Sequence, residues 1–261
     1  MAFFSSLFSS SKGNCTYIGD GRTGILIDCG TSAKRVRETL QSLGVDPASI
    51  AAIFVTHEHI DHVSALRVFA SAFAVPVFAT AGTLSMLERD GVLNGKFPVY
   101  ALPYTGAQAA GMQVRPFALS HDAAEPVGYS VTTPDGRRIS VATDTGVVTD
   151  GILSAVTGSD LVLLESNHDI GMLQNGTYPY AVKRRILSDR GHLCNDACAE
   201  TAVSLLESGT TFFCLGHLSP ENNLPQLAYQ TTRAEMDLIG AKEGADYRLQ
   251  IAGGAPEMIR I

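Results

Sequence analysis

Tryptophan is absent from the 261 residues, and Phe, Trp and Tyr together make up only 7% of them. Neither scarcity bears on function, but others do. No apolar run approaches the ~20 residues of a membrane-spanning helix, so no membrane partner is expected. The start, MAFFSSLFSSSKGN, has no basic segment and no long apolar core, so no signal peptide is expected. Basic residues number 19 against 26 acidic, a net charge of −7. That balance excludes a general electrostatic attachment to nucleic acid, though not a local basic patch. Cysteines number five, an odd count at irregular spacing, which argues against a disulfide framework and for a reducing cytoplasm. No linker, low-complexity tract or repeat interrupts the chain. What is present is a 45% hydrophobic composition, enough for a sizeable core, and residues 1–261 are expected to form a single domain.

Short apolar runs alternate with helical patterns. Strands are expected at 16–19, 24–30, 50–56, 75–80, 112–120, 127–133, 138–143, 160–166, 211–216 and 247–252. Helices are expected at 32–43, 62–73, 82–90, 179–189, 195–207 and 224–240. PDG at 134–136 is a hairpin turn. Interleaved strands and helices with hairpins suggest a layered α/β sandwich with mixed sheets.

The polar residues fall after the strands. Asp28 follows GILI; His57, Glu58, His59, Asp61 and His62 follow AIFVT; His121 follows VRPFALS. Asp144 follows ISVAT, Asn167 and His168 follow LVLLES, and His217 follows FFCLG. Strand ends lying side by side gather such residues on one edge, with the loops supplying ligands. Imidazoles and carboxylates without thiolate suit zinc, manganese or iron. The set exceeds what one tetrahedral zinc takes and matches two ions sharing a carboxylate about 3.5–4 Å apart. His57 and His59 point to one side of an extended backbone, and Asp61 and His62, opening the next helix, point to a second ion. Singly, each has a plainer role: Asp61 as a helix cap, Asp28 and Asp144 as turn residues. As one His-x-His-x-Asp-His run after a strand they are read as ligands.

That run, THEHIDH, resembles the signature of the metallo-β-lactamase superfamily, and Asp28, His121, Asp144 and His217 keep that family's order. The resemblance covers nearly the whole chain. It implies the metallo-β-lactamase fold, a four-layer αββα sandwich of the α/β class, and two divalent ions, zinc or manganese, with iron also acceptable. It implies one ion on His57, His59 and His121, the other on Asp61, His62 and His217, and Asp144 bridging. Asp28 would orient the cluster by hydrogen bond. Three further stretches, LLESNHD (163–169), GHLCND (191–196) and LGHLSPENN (215–223), look like the YycJ/WalJ-type branch, described as metallohydrolases and 5′-to-3′ exonucleases. HLS after His217 is also similar to ribonuclease Z, and the GH pair to ribonuclease J. The 73 positions from Asp144 to His217 leave no room for the clamp domain of ribonuclease J-like enzymes. SSSKGN stands where SGSSGN is expected, and Cys194 where serine is usual.

A phosphodiester substrate is consistent with this chemistry. Two metals can bind a phosphate oxygen, hold hydroxide and stabilise the leaving oxygen. Asp61 can assist proton transfer from the water. The most basic stretch, YPYAVKRRILSDRGH (178–192), carries Lys183, Arg184, Arg185 and Arg190 with Tyr178 and Tyr180. Either its arginines clamp phosphates and its tyrosines stack on bases, or it is a solvated helix face with two packed tyrosines. His192, after a glycine, can approach a phosphate and joins Asp61 as a catalytic candidate. Asn167, His168, Ser219 and Asn222 are further candidate substrate contacts, whereas Asn14 reads as a turn residue. Cys194 and Cys198 read as small buried residues. The expected function is a di-metal phosphodiesterase, a 5′-to-3′ exonuclease on DNA or RNA. The alternative is hydrolysis of a small-molecule ester, thioester or lactone by the same cage. The expected partner is nucleic acid or another phosphodiester, and a homo-oligomer is left open.

Overall fold

The computed structural model describes residues 1–261. The strands are β1 (Phe3–Ser10), β2 (Gly13–Gly19), β3 (Gly24–Ile27), β4 (Ile50–Phe54), β5 (Val77–Ala79), β6 (Val99–Ala101), β7 (Ala107–Ala109), β8 (Met112–Ala118), β9 (Val127–Thr132), β10 (Arg138–Ala142), β11 (Leu161–Glu165), β12 (Phe212–Gly216), β13 (Arg248–Ile251) and β14 (Ile259–Arg260). The helices are α1 (Ala33–Ser42), α2 (Ile60–Val63), α3 (Leu66–Phe73), α4 (Ala81–Arg89), α5 (Asp150–Val156), α6 (Ile170–Asn175), α7 (Tyr180–Ile186), α8 (Asn195–Glu207) and α9 (Pro225–Leu238). The chain forms two compact units, one of residues 1–116, 123–137 and 253–261, the other of residues 117–122 and 138–252. No helix is long and apolar enough to cross a membrane.

In the first unit a sheet runs in the order β14-β1-β2-β3-β4-β5-β6. β1, β2 and β3 are antiparallel neighbours and β3 to β6 are parallel. The run GILI is wholly buried, as expected of a parallel strand covered on both faces. Ile27 lies opposite Phe54, so Asp28 and the Val55–His57 segment leave the sheet at the same edge. Helix α1 starts at Ser32, whose side chain caps the Arg35 N–H, and buries Val36 and Leu40, one turn apart, against Leu26, Ile53 and Phe69. The single helix expected at 62–73 is instead two, α2 and α3. Cys29 takes their junction: its N–H donates to His62 O at 2.8 Å and its carbonyl accepts from Ala65 N at 2.9 Å. β1 is a strand that its serines concealed. Phe4 and Leu7 are buried, and a bulge falls between Ser6 and Phe8. The turn at 134–136 is present, with Gly136 at φ +82° and its N–H on Thr133 O at 2.9 Å.

In the second unit β10, β11, β12 and β13 are parallel neighbours. Ala142 pairs with Leu164, and Leu164 with Leu215. The residues past these strands therefore emerge together. Cys198, Ala202 and Leu205 of α8 and Ala228 and Met236 of α9 share a core with Val162, Leu164, Phe213 and Leu215. This core fixes the strand ends from behind.

Candidate metal centre

Three of the six non-glycine residues at positive φ are Asp28 (60°), Asp144 (65°) and His217 (54°). Left-handed backbone costs an L-residue on the order of 1–3 kcal/mol. Here it falls on strand-end residues that aim polar side chains.

In the first unit, Thr56 N–H donates to Asp28 Oδ1 and Thr56 Oγ1–H to Asp28 Oδ2, both at 2.8 Å. The Thr56 hydroxyl has one proton, so towards His57 Nδ1, 3.0 Å away, it is the acceptor. His62 Nδ1 lies 2.8 Å from Asp28 Oδ2 and donates to it. Asn14 Nδ2 donates to His62 Nε2 at 3.0 Å and to Asp61 Oδ2 at 3.1 Å. The Asn14 amide is itself oriented by Ser10, whose N–H donates to Asn14 Oδ1 at 3.1 Å. His57 Nε2 faces His59 Nδ1 at 2.9 Å. Burial raises the Asp28 carboxyl above its usual range, against the pull of His62 and Thr56. Gly30 permits the close seating of α2, since a Cβ there would lie 1.8 Å from Asp61 O.

In the second unit the organising group is Glu165, at the end of β11 and fully buried. Its Oε1 lies 2.8 Å from both His192 Nδ1 and His217 Nδ1. Its Oε2 accepts from Thr145 N at 2.8 Å and Leu193 N at 3.2 Å. Burial alone would push this carboxyl up, but attraction to His192 and hydrogen bonds from His192 and His217 hold it down, at about 2. Glu165 is therefore ionised and accepts from both imidazoles. His121 Nδ1 lies 3.0 Å from Gly191 O, to which it donates, and burial lowers the His121 pKa, keeping the ring neutral. Sequence reasoning passed over Glu165 and took Asn14 for a turn residue. The available signal for Glu165 was a charge closing an otherwise apolar strand.

Thus His57, His62, His121 and His217 share one pattern. Nδ1 is tied to an oxygen, and Nε2 is the nitrogen presenting a lone pair. That is how a metal-ligating histidine is oriented. Ligand atoms of Asp144, Glu165, His192 and His217 lie within 4.8 Å of one another. This donor set, imidazole and carboxylate without thiolate, fits a divalent metal ion.

The other candidates sit differently. Asn167, Ser219 and Asn222 are buried. Asn167 Nδ2 donates to His217 O at 2.8 Å, Ser219 N to Asn167 O at 2.8 Å, and Asn222 N to Ser219 Oγ at 3.1 Å. They brace the loop that carries His217. Lys183 Nζ donates to Gln174 O at 2.8 Å and Gly176 O at 2.7 Å, closing the end of α6. Arg185 forms a two-bond ion pair with Asp122, and Arg190 donates to His121 O at 3.3 and 3.1 Å. Arg184 is exposed, its guanidinium 6.0 Å from the ring centre of the exposed Tyr180.

His168 is 1% exposed and neither ring nitrogen has a hydrogen-bond partner. Burial lowers its pKa from 6.5 to about 4. The unfolded chain takes up this proton below pH 6.5 and the folded chain only near pH 4, so the contribution to stability is full above pH 6.5 and shrinks as pH falls through that window. Between pH 7 and pH 5 the loss is about 2 kcal/mol. Urea unfolding at the two pH values is expected to show it, and His168→Leu to remove it. An identical pH slope in the variant would refute the assignment.

The chain matches the family model described as Beta-lactamase superfamily domain over residues 23–213. It is 34% identical over 250 residues to Exodeoxyribonuclease YycJ of Bacillus anthracis, covering 94% of this chain and 93% of that one. It is 32% identical over 250 residues to Exodeoxyribonuclease WalJ of Streptococcus pneumoniae serotype 2, covering 94% and 92%. Among solved structures, the metallo-β-lactamase fold protein YhfI of Bacillus subtilis matches with a TM-score of 0.73 at 13% identity, covering 100% of both chains. That match gives the fold: an α/β sandwich of mixed sheets flanked by helices. With the fold, the ordered ligand residues and full-length relatives in agreement, the chain belongs to the beta-lactamase superfamily, in the branch of the YycJ and WalJ proteins.

Proposed function

We propose that the chain is a metal-dependent phosphodiesterase acting as a 5′-to-3′ exonuclease on DNA or RNA. The observation that carries this reading is the set of four histidines whose Nδ1 atoms are anchored so that Nε2 is offered. Support for the substrate class comes from the two relatives, both named exodeoxyribonucleases and both matched over nearly their whole length. Following the family pattern, His57, His59 and His121 would hold one ion and Asp61, His62 and His217 the other, with Asp144 serving both. Zinc and manganese both accept this donor set, and iron fits as well. The family model runs through both compact units, which supports treating residues 1–261 as one hydrolase domain. Five thiols, none in a disulfide, suit a cytoplasmic location.

Two such ions would polarise the phosphoryl oxygen and bring the pKa of water towards 7. The chain's own groups do the rest. Asp61 Oδ2, steadied by Asn14 and 18% exposed in its side chain, takes the proton of the attacking water. His192 is 14% exposed in its side chain, and its Nδ1–H is committed to Glu165, so its Nε2 side faces substrate. Glu165 holds the His192 ring in place, and His192 Nε2 relays a proton from solvent to the leaving oxygen.

The test is digestion of 5′-labelled and 3′-labelled DNA and RNA with manganese or zinc, beside His59→Ala. Metal-dependent, stepwise cleavage from the 5′ end that His59→Ala lowers by at least about 100-fold is expected. Absence of any phosphodiester cleavage, with rapid turnover of a thioester or lactone, would overturn the nuclease reading.

A further inference from the structure

We infer that the cleft beside the β1–β2 turn binds a terminal phosphate monoester, the 5′-phosphate of a DNA end. This rests on the nuclease reading above and adds to it a site outside the ligand set. The cleft, of about 130 Å³, is lined by Ser9, Ser10, Lys12, Gly13, Thr31 and Arg35. It shares Phe8, Arg35 and Gly253 with a wider groove of about 400 Å³. It has room for a phosphoryl group and opens into the wider groove.

Its charge is concentrated and uncompensated. Arg35 Nη1 is 2.9 Å from Thr31 Oγ1, and its guanidinium lies 4.7 Å from the Phe8 ring centre. It is thus held in place by neutral groups. No carboxylate pairs with Arg35 or Lys12, and Glu38, which lines the wider groove, pairs with Lys34 at 3.8 Å. The first turns of α1 carry Lys34, Arg35 and Arg37 and its first turn has no acidic residue. That is the reverse of what a helix N-terminus favours, in a chain of net charge −7. Cations placed against the local field, and left without counter-charge, suit an anion that arrives from solution.

The walls are rigid. A Cβ at Gly13 would lie 2.8 Å from Thr31 Cβ, and Thr31 itself sits at φ 69°. The Lys12 N–H donates to Ser10 Oγ at 3.2 Å and closes the turn. The cleft also adjoins the first unit's ligands. Asn14, the residue after Gly13, makes the contacts to Asp61 and His62. A phosphate monoester carries about −1.5 to −2 charges at pH 7, against one for each internal diester. An anchored Arg35 and the neighbouring Lys12, two cations lining one cleft, therefore favour the chain end over the chain interior. An end held there would lie beside the strand segment whose Asn14 contacts Asp61, in keeping with a start at the 5′ end.

The test compares binding of a 5′-phosphorylated oligodeoxynucleotide with its 5′-hydroxyl form, by fluorescence anisotropy on the full chain with a non-cleavable phosphorothioate backbone. The wild type is expected to favour the 5′-phosphate by about tenfold or more. Lys12→Ala with Arg35→Ala should bring the two ligands within about twofold. Lys34→Ala with Arg37→Ala removes the same charge from the same helix outside the cleft and should keep the preference. A wild type without preference, or a control that loses it equally, overturns the inference. Cleavage is read separately on unmodified DNA. Cleavage without end preference rejects this site and keeps the nuclease reading. End preference without cleavage does the reverse.

Discussion

Asp61→Asn lowers phosphodiester cleavage by about 10²–10⁴-fold and leaves the fold intact. The size follows from what the carboxylate does. Its Oδ2 is positioned by the Asn14 amide at 3.1 Å and lies 3.5 Å from His62 Nε2. A carboxamide keeps the shape but cannot accept a proton. Asp61 is 18% exposed in its side chain, so Asn is partly solvated where it stands. Single-turnover cleavage at saturating metal, with the metal content measured for both proteins, separates the two ways activity could fall. An equal metal content with a rate down by two or more orders assigns Asp61 to proton transfer. A rate within tenfold of the parent would remove it from the reaction.

Much of this site was legible because strand ends are where α/β chains place chemistry. The run from His57 to His62 follows an apolar, β-branched strand, and Asp28, His121, Asp144 and His217 each follow another. Side-by-side strands such as β3 with β4, or β10 with β11 and β12, are what bring such ends together. The basic stretch was legible only as charge. Lys183 and Arg185 meet Gln174 O, Gly176 O and Asp122, partners that composition and periodicity cannot assign. The break between α2 and α3 depends on Cys29, which is 33 residues from His62 in the chain and beside it in space. β1 was hidden because period-2 burial is interrupted at its bulge. Asn14 looked like any residue after a glycine, since its role rests on contacts to Asp61 and His62 made across the fold.

Glu165→Gln is expected to cost about 3–5 kcal/mol of stability and to remove most activity with it. Four donors converge on this carboxylate: His192 Nδ1, His217 Nδ1, Thr145 N and Leu193 N. Glutamine offers one acceptor oxygen and one donor nitrogen. However the amide is turned, two of the four N–H groups then face another donor inside a fully buried setting. With the oxygen in the Oε1 position, His192 and His217 keep their acceptor and the Thr145 and Leu193 amides lose theirs. With the amide flipped, both imidazoles are released, and with them the tautomer that offers Nε2. Denaturant unfolding should show a midpoint lowered by about 1–5 M urea, given m-values of ~1–3 kcal/mol/M. The pH dependence gives an independent check. A carboxyl at about 2 in the folded chain, against 4.5 for an unperturbed one, contributes stability that is complete above pH 4.5 and is lost as pH falls towards 2. Glu165→Gln should flatten the acid limb of the wild-type curve over that window. If the variant instead unfolds at the wild-type midpoint, and still turns over substrate, the buried carboxylate neither anchors the two histidines nor governs their tautomers, and the offered Nε2 of His217 needs another cause.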